Sequence, residues 1–315
     1  MENTTTGAGN VAVGSEAFKA NTTGAANTGV GYRALYSATT ADNNTAFGSY
    51  ALDAVTTGGT NVAIGASALT SNTASNNAAV GFQALEDNTS GTENTAMGVS
   101  AAYNITTGSY NSAFGSSCLS ALTTGSHNLS VGRASNQIST TGSFNIMLGP
   151  LARPSAADGN SETVVGYNVV GQGNSTFTLG GGTAISSIAW GATTWTAPSD
   201  ERVKEEIEDE VVGLSFINDL RPRTFRFRKE KDIPEELEAH VADSEKRYKT
   251  DKYEHGFVAQ EVKEAIDKHN LKDGFDMWSE DAADGRQRVG PTAVIPMLIK
   301  AIQELSAEVE KLKGE

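Results

Sequence analysis

A motif close to Asn-x-Ala-x-Gly recurs through the first 150 residues at a nearly constant spacing. The step is 17 residues, except for one step of 16 between Asn61 and Asn77. The motifs begin at Asn10, Asn27, Asn44, Asn61, Asn77, Asn94, Asn111, Asn128 and Asn145. A tenth, degraded copy ends at Gly166. So strict a period predicts a solenoid in which each repeat forms one coil.

Each repeat contains its own structural signals. Residues alternate around the Gly, as in Ala46-Phe47-Gly48, with the period of a β-strand. An Ala-Leu pair, such as Ala51-Leu52, ends a second short apolar segment, and Thr-Thr-Gly clusters between repeats are typical of turns. The Gly suits a tight corner with positive φ. The column of Asn residues suits a hydrogen-bonded ladder along the solenoid axis.

The apolar residues of the repeats are mostly Ala and Val, with single larger ones at Phe47, Ile64, Met97 and Phe114. Small side chains gain little from burial, at about 25 cal/mol per Å², so a single thin solenoid is expected to be marginal. Three chains around one axis would bury the larger residues and remove exposed edges. The sequence therefore predicts a homotrimeric stalk, about 50 Å long at roughly 4.8 Å per rung. The alternative, a disordered low-complexity segment, does not explain why the larger residues fall in register.

The repeats resemble the head repeats of trimeric autotransporter adhesins and of some phage fibres, over residues 8–170. The resemblance implies a trimeric, left-handed parallel β-roll. We assign residues 1–170 to this stalk and residues 171–198 to a Gly- and Trp-rich β connector or tip. Trp190 and Trp195 are interpreted as part of an apolar plug at the end of the stalk. The alternative is a glycan-binding tip, because aromatic faces suit sugars.

Composition changes abruptly at Ser199. Residues 1–198 carry 9 acidic and 4 basic side chains, whereas residues 199–315 carry 29 and 20. The net charge of −14 argues against a nucleic-acid partner, and no apolar run approaches the roughly 20 residues that span a bilayer. No cofactor or metal is expected, because the histidines lack metal-ligand spacing. They are His127, His240, His255 and His269.

Residues 199–315 are predicted to form an α+β domain. The expected elements are a helix at 201–220, a strand at 224–228, a mobile charged insertion at 229–253 and a strand end leading into a helix at 256–262. Apolar residues at a and d heptad positions from Ile295 to Leu312 predict a C-terminal coiled coil. The alternative for so short a run is an ordinary amphipathic helix, and the a and d residues alone do not choose a trimer over a dimer.

Four segments of this second half resemble one family in their order along the chain. They are Ser199–Lys204, Leu220–Phe227, Gly256–Val262 and Ile295–Leu305. They are similar to the C-terminal intramolecular chaperone of phage tailspikes, tail fibres and neck appendages, the endosialidase type of self-cleaving domain. A similar domain occurs in a membrane-bound animal transcription factor. The resemblance implies a trimeric domain that nucleates folding of the preceding fibre and then cuts itself off.

The resemblance also implies the residues of the cut. The scissile bond would be Pro198–Ser199, with Ser199 as the nucleophile and Lys204 as the base. Asp200 and Arg202 match the motif and would position the loop. A neutral lysine requires a lowered pKa, and desolvation at a contact between chains would provide it. The alternative is that Ser199 is simply the N-cap of a helix.

These observations lead to one functional hypothesis with two alternatives. The hypothesis is a phage tail fibre or spike protein, made in the host cytoplasm and carried on the virion, that binds a host cell-surface receptor, possibly a glycan. Its only enzymatic activity would be a single-turnover serine–lysine self-cleavage. The alternatives are a trimeric adhesin or particle appendage of non-phage origin and a glycan-degrading fibre.

Overall fold

The computed structural model describes residues 5–182, 184–192, 199, 201–237, 239–271, 277–280 and 285–313. The chain forms two compact units, Met1–Asp200 and Glu201–Glu315. The first is called the solenoid and the second the C-terminal unit, and each is described by itself.

The solenoid has one short strand in each repeat, and its described strands form a single sheet in chain order. The strands are β1 (Val11–Val13), β2 (Thr28–Val30), β3 (Thr45–Phe47), β4 (Val62–Ile64), β5 (Ala78–Val80), β6 (Thr95–Met97), β7 (Ser112–Phe114), β8 (Leu129–Val131), β9 (Ile146–Leu148), β10 (Thr163–Tyr167), β11 (Thr176–Gly181) and β12 (Ala184–Ala189). Successive strands pair in parallel from β1 to β11, and β12 folds back antiparallel on β11. The predicted parallel β-solenoid is therefore confirmed.

The core of the solenoid lies behind the middle residue of each strand. In β3, Ala46 is buried while Thr45 and Phe47 point outward. The Ala-Leu pairs supply the other side of the core, as Ala51 and Leu52 do. This segment is not a strand, because Leu52 has a positive φ of 52°. Its N–H donates to the carbonyl of Ala68 on the next rung, so the tight turn still extends the ladder.

The Asn column forms the predicted ladder, by bonds from each side chain to the next rung. The backbone N–H of Asn111 donates to Oδ1 of Asn94 at 3.0 Å, and Asn94 Nδ2 donates to the carbonyl of Gly108 at 2.8 Å. The buried Glu162 continues the column, since its N–H donates to Asn145 Oδ1 at 2.9 Å. Buried amides with paired donors and acceptors fix the corner of every rung.

The repeated Gly lies at a corner where no side chain fits. Gly48 has a φ of +147°, and an added Cβ would lie 2.4 Å from the carbonyl oxygen of Gly65 on the next rung. Both the positive φ and the close approach of the next rung require glycine. The sequence prediction for this position is confirmed.

The single 16-residue step leaves the Asn ladder intact. Asn77 still donates its N–H to Asn61 Oδ1 at 2.9 Å. The missing residue shortens the turn that follows Thr73. Next to it, Asn72 Oδ1 accepts from Asn77 Nδ2 at 3.2 Å and from Asn88 Nδ2 at 2.7 Å. A second, local amide network thus holds the shortened turn.

In its described residues, the C-terminal unit combines three α-helices with two antiparallel strand pairs. Its elements are α1 (Leu214–Asp219), β13 (Arg223–Phe225), β14 (Glu254–Gly256), α2 (Ala259–Lys268), β15 (Trp278–Glu280), β16 (Gln287–Val289) and α3 (Ile295–Lys313), with short 3-10 helices at Glu201–Val203, Glu230–Asp232 and Pro291–Val294. The buried core is Phe216, Val262, Ala265, Ile266, Met277, Val294 and Met297. None of the described helices is long and apolar enough to span a membrane.

The helix predicted at 201–220 is mostly wrong. Only Leu214–Asp219 is α-helical, and residues 204–213 have no regular secondary structure. Ile207 is 67% exposed and Val211 is 80% exposed, so the expected apolar face is not buried against the described part of the chain. Five acidic residues between 205 and 210 repel one another, which disfavours a compact helix without compensating contacts.

The insertion at 229–253 folds back on itself. The N–H of Glu230 donates to the carbonyl of Lys246 at 2.8 Å, and the N–H of Tyr248 donates to the carbonyl of Arg228 at 2.9 Å. Glu245 forms ion pairs with two lysines at the start of the loop. These contacts give the segment a defined conformation that its charged composition did not indicate.

Candidate functional site

The predicted cleavage residues fall on both sides of the boundary between the two units in the chain, since Ser199 is among the last residues of the first unit and Lys204 among the first of the second. Ser199 is exposed and has no regular secondary structure, and Arg202 lies in the 3-10 helix Glu201–Val203. The N–H of Lys204 donates to the carbonyl of Glu201 at 3.1 Å, and the Lys204 side chain is exposed. Pro198 and Asp200 lie outside the described residues. In the single chain, solvent therefore reaches the lysine that the hypothesis requires to be neutral.

The N-cap alternative for Ser199 requires a helix directly after it. The 3-10 helix begins at Glu201 and is only three residues long, so Ser199 does not directly precede it. Residues 204–213 then continue without regular secondary structure. Lys204 thus directly follows a short 3-10 turn, in a stretch without regular secondary structure.

The later motif segments meet in one core. Phe216 of α1 packs with Val262 of α2 and Met297 of α3. Leu214 N–H donates to Oε2 of Glu304 at 2.8 Å, which joins the start of α1 to α3. The family-like segments, separated by up to about 90 residues, therefore build a single small domain immediately after the cleavage motif.

Charged pairs brace this domain at its surface. Arg223 on β13 binds the carboxylate of Glu261 on α2 with two hydrogen bonds, and it lowers the pKa of Glu261. Asp219 accepts from Lys268 Nζ at 2.7 Å and contacts His269 Nε2 at 2.6 Å. Hydrogen bonds from Lys268 and then His269 lower the pKa of Asp219. Sequence reasoning missed these pairs, because each joins residues that are far apart in the chain.

His255 is the histidine that stands next to a family-like segment. It lies on β14 opposite Thr224 of β13, and its Nδ1 is 3.1 Å from the Thr224 hydroxyl. His255 is exposed. Among the described residues, no group of His, Cys, Asp and Glu is arranged to hold a metal ion.

The solenoid exposes apolar side chains along its sheet, on the strands β1, β3, β4, β6, β8 and β9. These are the residues on either side of each buried strand centre, and Phe47 is 58% exposed. The exposed members are Val11, Val13, Phe47, Val62, Ile64, Met97, Val131 and Ile146. The larger residues that the sequence assigned to contacts between chains thus point away from the core of their own chain. An apolar surface of this kind marks an interaction surface.

Helix α3 presents a second apolar face. The heptad residues are all exposed, while Met297 and Ala301 on the other side are buried against the domain. The exposed residues are Ile295, Leu298, Ile302, Leu305, Val309 and Leu312. An ordinary amphipathic helix would turn these residues to its own core, so the heptad face is free for another helix.

The tryptophans of the connector are only partly described. Trp190 follows β12 and is 57% exposed, so it does not serve as a buried plug within the single chain. Its N–H donates to the carbonyl of Ser175 at 2.9 Å. Trp195 lies outside the described residues.

The profile of the family Peptidase_S74, described as chaperone of endosialidase, matches residues 199–271. The match covers less than a quarter of the chain and begins at Ser199, the first residue of the predicted cleavage motif. It includes α1, β13, β14 and α2. No curated protein and no solved structure matches the chain. Residues 199–271 are therefore similar to the chaperone-of-endosialidase family, and they follow a β-solenoid in the chain.

Proposed function

We propose that the protein is a trimeric phage tail fibre or spike that attaches to a host surface and is folded by a self-cleaving C-terminal chaperone. One observation carries the proposal. A ten-rung solenoid with an outward apolar row leads directly into a chaperone-of-endosialidase match that starts at Ser199. The chains of a fibre must align with equivalent repeats at the same level, and a chaperone domain at the end of each chain would provide this alignment.

Two exposed faces support assembly from copies of this chain. The heptad face of α3 is flanked by Ile299, which is also exposed, so the apolar stripe is wider than a two-stranded seam. In a parallel, in-register coil, Glu308 at a g position faces Lys313 at the e position of the neighbour. In-register helices would align the three solenoids, whose apolar rows then meet along the axis.

Light scattering of uncleaved Ser199→Ala protein tests this assembly. We expect three times the chain mass of 32.9 kDa. Ile302→Glu places a charge in the middle of the α3 face and should reduce the mass toward that of the monomer. Glu310→Lys, on the same helix but outside the seam, is the matched control and should remain trimeric. A folded wild-type monomer would refute the stalk proposal.

The proposed cut is an acyl shift followed by hydrolysis. Ser199 Oγ attacks the carbonyl carbon of Pro198 while neutral Lys204 takes the hydroxyl proton. The C–N bond then breaks, the proton passes to the departing amine, and an ester joins the Pro198 carbonyl to Ser199 Oγ. Water hydrolyses this ester, which leaves a carboxylate on Pro198 and restores the hydroxyl. One water is consumed and no cofactor is required.

Intact-mass measurement tests the chemistry. The wild type should give fragments of 198 and 117 residues, and Ser199→Ala and Lys204→Ala should stay full length. Ser215→Ala, a second exposed serine of the unit, should be cut like the wild type. Hydroxylamine added during expression should trap the ester as a hydroxamate on the 198-residue fragment. Cutting that persists in Ser199→Ala would rule out this nucleophile.

Assembly would activate the cleavage by excluding water from Lys204. A lysine accepts a proton only in its neutral form, and burial against a second chain disfavours the charged form. The Ile302→Glu variant should therefore remain uncut even though Ser199 and Lys204 are intact. Efficient cutting of this monomeric variant would show that cleavage is independent of assembly.

The chaperone role predicts different refolding before and after the cut. Neighbouring registers of a 17-residue repeat look alike, so an incorrect start would propagate along the rungs. The cleaved solenoid should resist heat and detergent, yet fail to refold once denatured, because its persistence depends on a high unfolding barrier. Uncleaved Ser199→Ala should refold to a trimer in higher yield. Equal yields would show that the chaperone is not needed for registration.

Host attachment is tested with the cleaved solenoid. Fluorescently labelled 198-residue fragment should bind cells of a susceptible bacterial host, and unlabelled fragment should compete. If the ligand is a surface glycan, exposed Trp190 is the first aromatic residue to substitute, and Trp190→Ala should weaken binding. Release of reducing sugar from host polysaccharide would instead favour the glycan-degrading alternative.

A further inference from the structure

The folded insertion of the C-terminal unit, together with Arg286, forms an open apolar cavity with a cationic border. The cavity has a volume of about 250 Å³, close to the lower end of the range for ligand sites. Its lining is Phe227, Arg228, Ile233, Pro234, Leu237, Ala239, Tyr248 and Arg286. Two of these residues are arginines and none is acidic. We call this site the cationic cavity.

Further cations surround the aromatic wall of the cationic cavity. Lys249 Nζ lies 5.2 Å from the ring centre of Phe227 and 5.6 Å from that of Tyr248. Arg247 Nη1 donates to the carbonyl of Phe227 at 2.8 Å. Arg286 Nη1 lies 3.4 Å from the Tyr248 hydroxyl. Aromatic rings under positive charge, beside aliphatic side chains, suit an occupant that is both apolar and acidic.

The same unit carries a segment of that composition. Residues 205–211, here called the acidic arm, contain five carboxylates and two apolar residues. The apolar residues are Ile207 and Val211, which rank among the most exposed aliphatic side chains of the described chain. The arm has no regular secondary structure, and Glu206 has a positive φ of 54°. An irregular segment with exposed Ile and Val side chains presents them for docking into a partner.

Part of the acidic arm lies beside the face of α3 through which we propose that copies of the chain associate. Asp209 and Glu210 border a surface groove together with Pro296, Ile299 and Lys300. These residues of α3 flank the exposed heptad face. The two apolar side chains of the arm remain exposed in their own chain, and the cavity remains unfilled by its own arm. A second copy is therefore the partner that the geometry favours.

We propose that the acidic arm of one copy inserts Ile207 into the cationic cavity of a neighbouring copy, so that the chaperone units of the trimer are linked by exchanged arms. The inference rests on the proposed trimer. Burial of Ile207 supplies the apolar gain, and the flanking carboxylates face the arginines and Lys249 at the border of the cavity. The arm also follows the cleavage motif directly, so its docking would hold Lys204 against the neighbouring chain.

Disulfide trapping tests the exchange in the full-length protein. Two singly substituted chains with different tags, Ile207→Cys and Leu237→Cys, are co-expressed and oxidised, and mixed disulfide dimers are expected. Native Cys118 is fully buried and burial raises the pKa of its thiol, so it should not compete. The matched control pairs Ile207→Cys with Val241→Cys, which is exposed in the same loop but does not line the cavity. Its yield should be at least about tenfold lower.

A second measurement covers the case in which the cysteines are poorly oriented for a disulfide. In Leu237→Cys trimers, the new thiol should react with a maleimide at least about tenfold more slowly than in the same protein carrying Ile207→Ser and Val211→Ser. Loss of arm docking should open the cavity to the reagent.

The outcomes separate this inference from the proposed function. A trimer without mixed disulfide and with equal maleimide rates would overturn arm exchange and leave the fibre proposal standing. A disulfide formed only within the doubly substituted chain, Ile207→Cys with Leu237→Cys, would show that each arm fills its own cavity, and would also overturn it. Monomeric wild-type protein would refute the proposed trimer and the inference with it.

Discussion

The Asn ladder makes one strong prediction about the stability of the solenoid. Asn94 is almost fully buried, and its Oδ1 accepts hydrogen bonds from the backbone N–H and the side-chain amide of Asn111 at 3.0 and 3.1 Å. Its Nδ2 donates to the carbonyl of Gly108 at 2.8 Å. Asn94→Ala removes all three bonds. The substitution leaves two backbone groups buried without these partners, the N–H of Asn111 and the carbonyl of Gly108.

The expected loss of stability follows from those two unsatisfied backbone groups. Each unsatisfied buried group costs about 1–3 kcal/mol, so the substitution should destabilise its rung by about 2–6 kcal/mol. Hydrogen exchange measured by mass spectrometry should show protection falling by at least about 30-fold between Asn94 and Gly115. The loss should be local, because each rung contacts mainly its neighbours.

A matched control lies in the same rung. Thr107 is exposed, and Thr107→Ala should change stability by less than about 0.5 kcal/mol. Asn94→Asp keeps the acceptor but loses the donor to Gly108, so its effect should also be large. If Asn94→Ala and Thr107→Ala show the same protection, the ladder does not stabilise the solenoid as argued.

Three further predictions concern other parts of the chain. Gly98→Ala should prevent folding of the solenoid, because φ is +142° and the new Cβ would lie 2.5 Å from the carbonyl oxygen of Gly115; Gly181→Ala, with open space around it, should still give soluble protein. The ion pairs with two lysines lower the pKa of Glu245 to about 2, below the unfolded value of about 4.3. Their stabilisation should thus be present above pH ~4.3 and lost as pH falls toward 2; an NMR titration midpoint near 4 would contradict this. The Cys118 thiol should react with a thiol reagent at pH 8 only as fast as the solenoid unfolds, and faster labelling of folded protein would refute its burial.

The repeat period made most of the solenoid predictable from sequence. A constant offset of 17 places equivalent residues above one another, which fixes the strand, the Gly corner and the Asn column together. The period also explains why the rings of Tyr110, His127 and Phe144 stack, because these residues are 17 positions apart. Their ring centroids are 4.8 Å apart from Tyr110 to His127 and 4.9 Å apart from His127 to Phe144. The period does not say which side of the strand faces the core. The structure assigns Ala46 inward and Phe47 outward.

The C-terminal unit was less predictable, because its structure depends on contacts between distant residues. The helix α3 and the strand-to-helix segment at α2 carry their own local signals, and both elements were predicted correctly, whereas the coiled coil stays a prediction. The spacing of Val203, Ile207 and Val211 suggested a helix, but mutual repulsion of the acids outweighed that periodicity. The cationic cavity depends on residues between Phe227 and Arg286 that share no motif.

The constant offset between rungs has a genetic consequence. Every bond of the ladder runs from one repeat to the next, as from Asn111 to Asn94, and none requires a particular total number of repeats. Recombination between the coding segments of two equivalent repeats would add or delete whole rungs without breaking the pattern on either side. Each such event would change the length of the solenoid by roughly 4.8 Å. The 16-residue step between Asn61 and Asn77 keeps the Asn bond, so the turn beyond Thr73 also accommodates one residue fewer. The length of the solenoid could thus evolve in small, uniform increments.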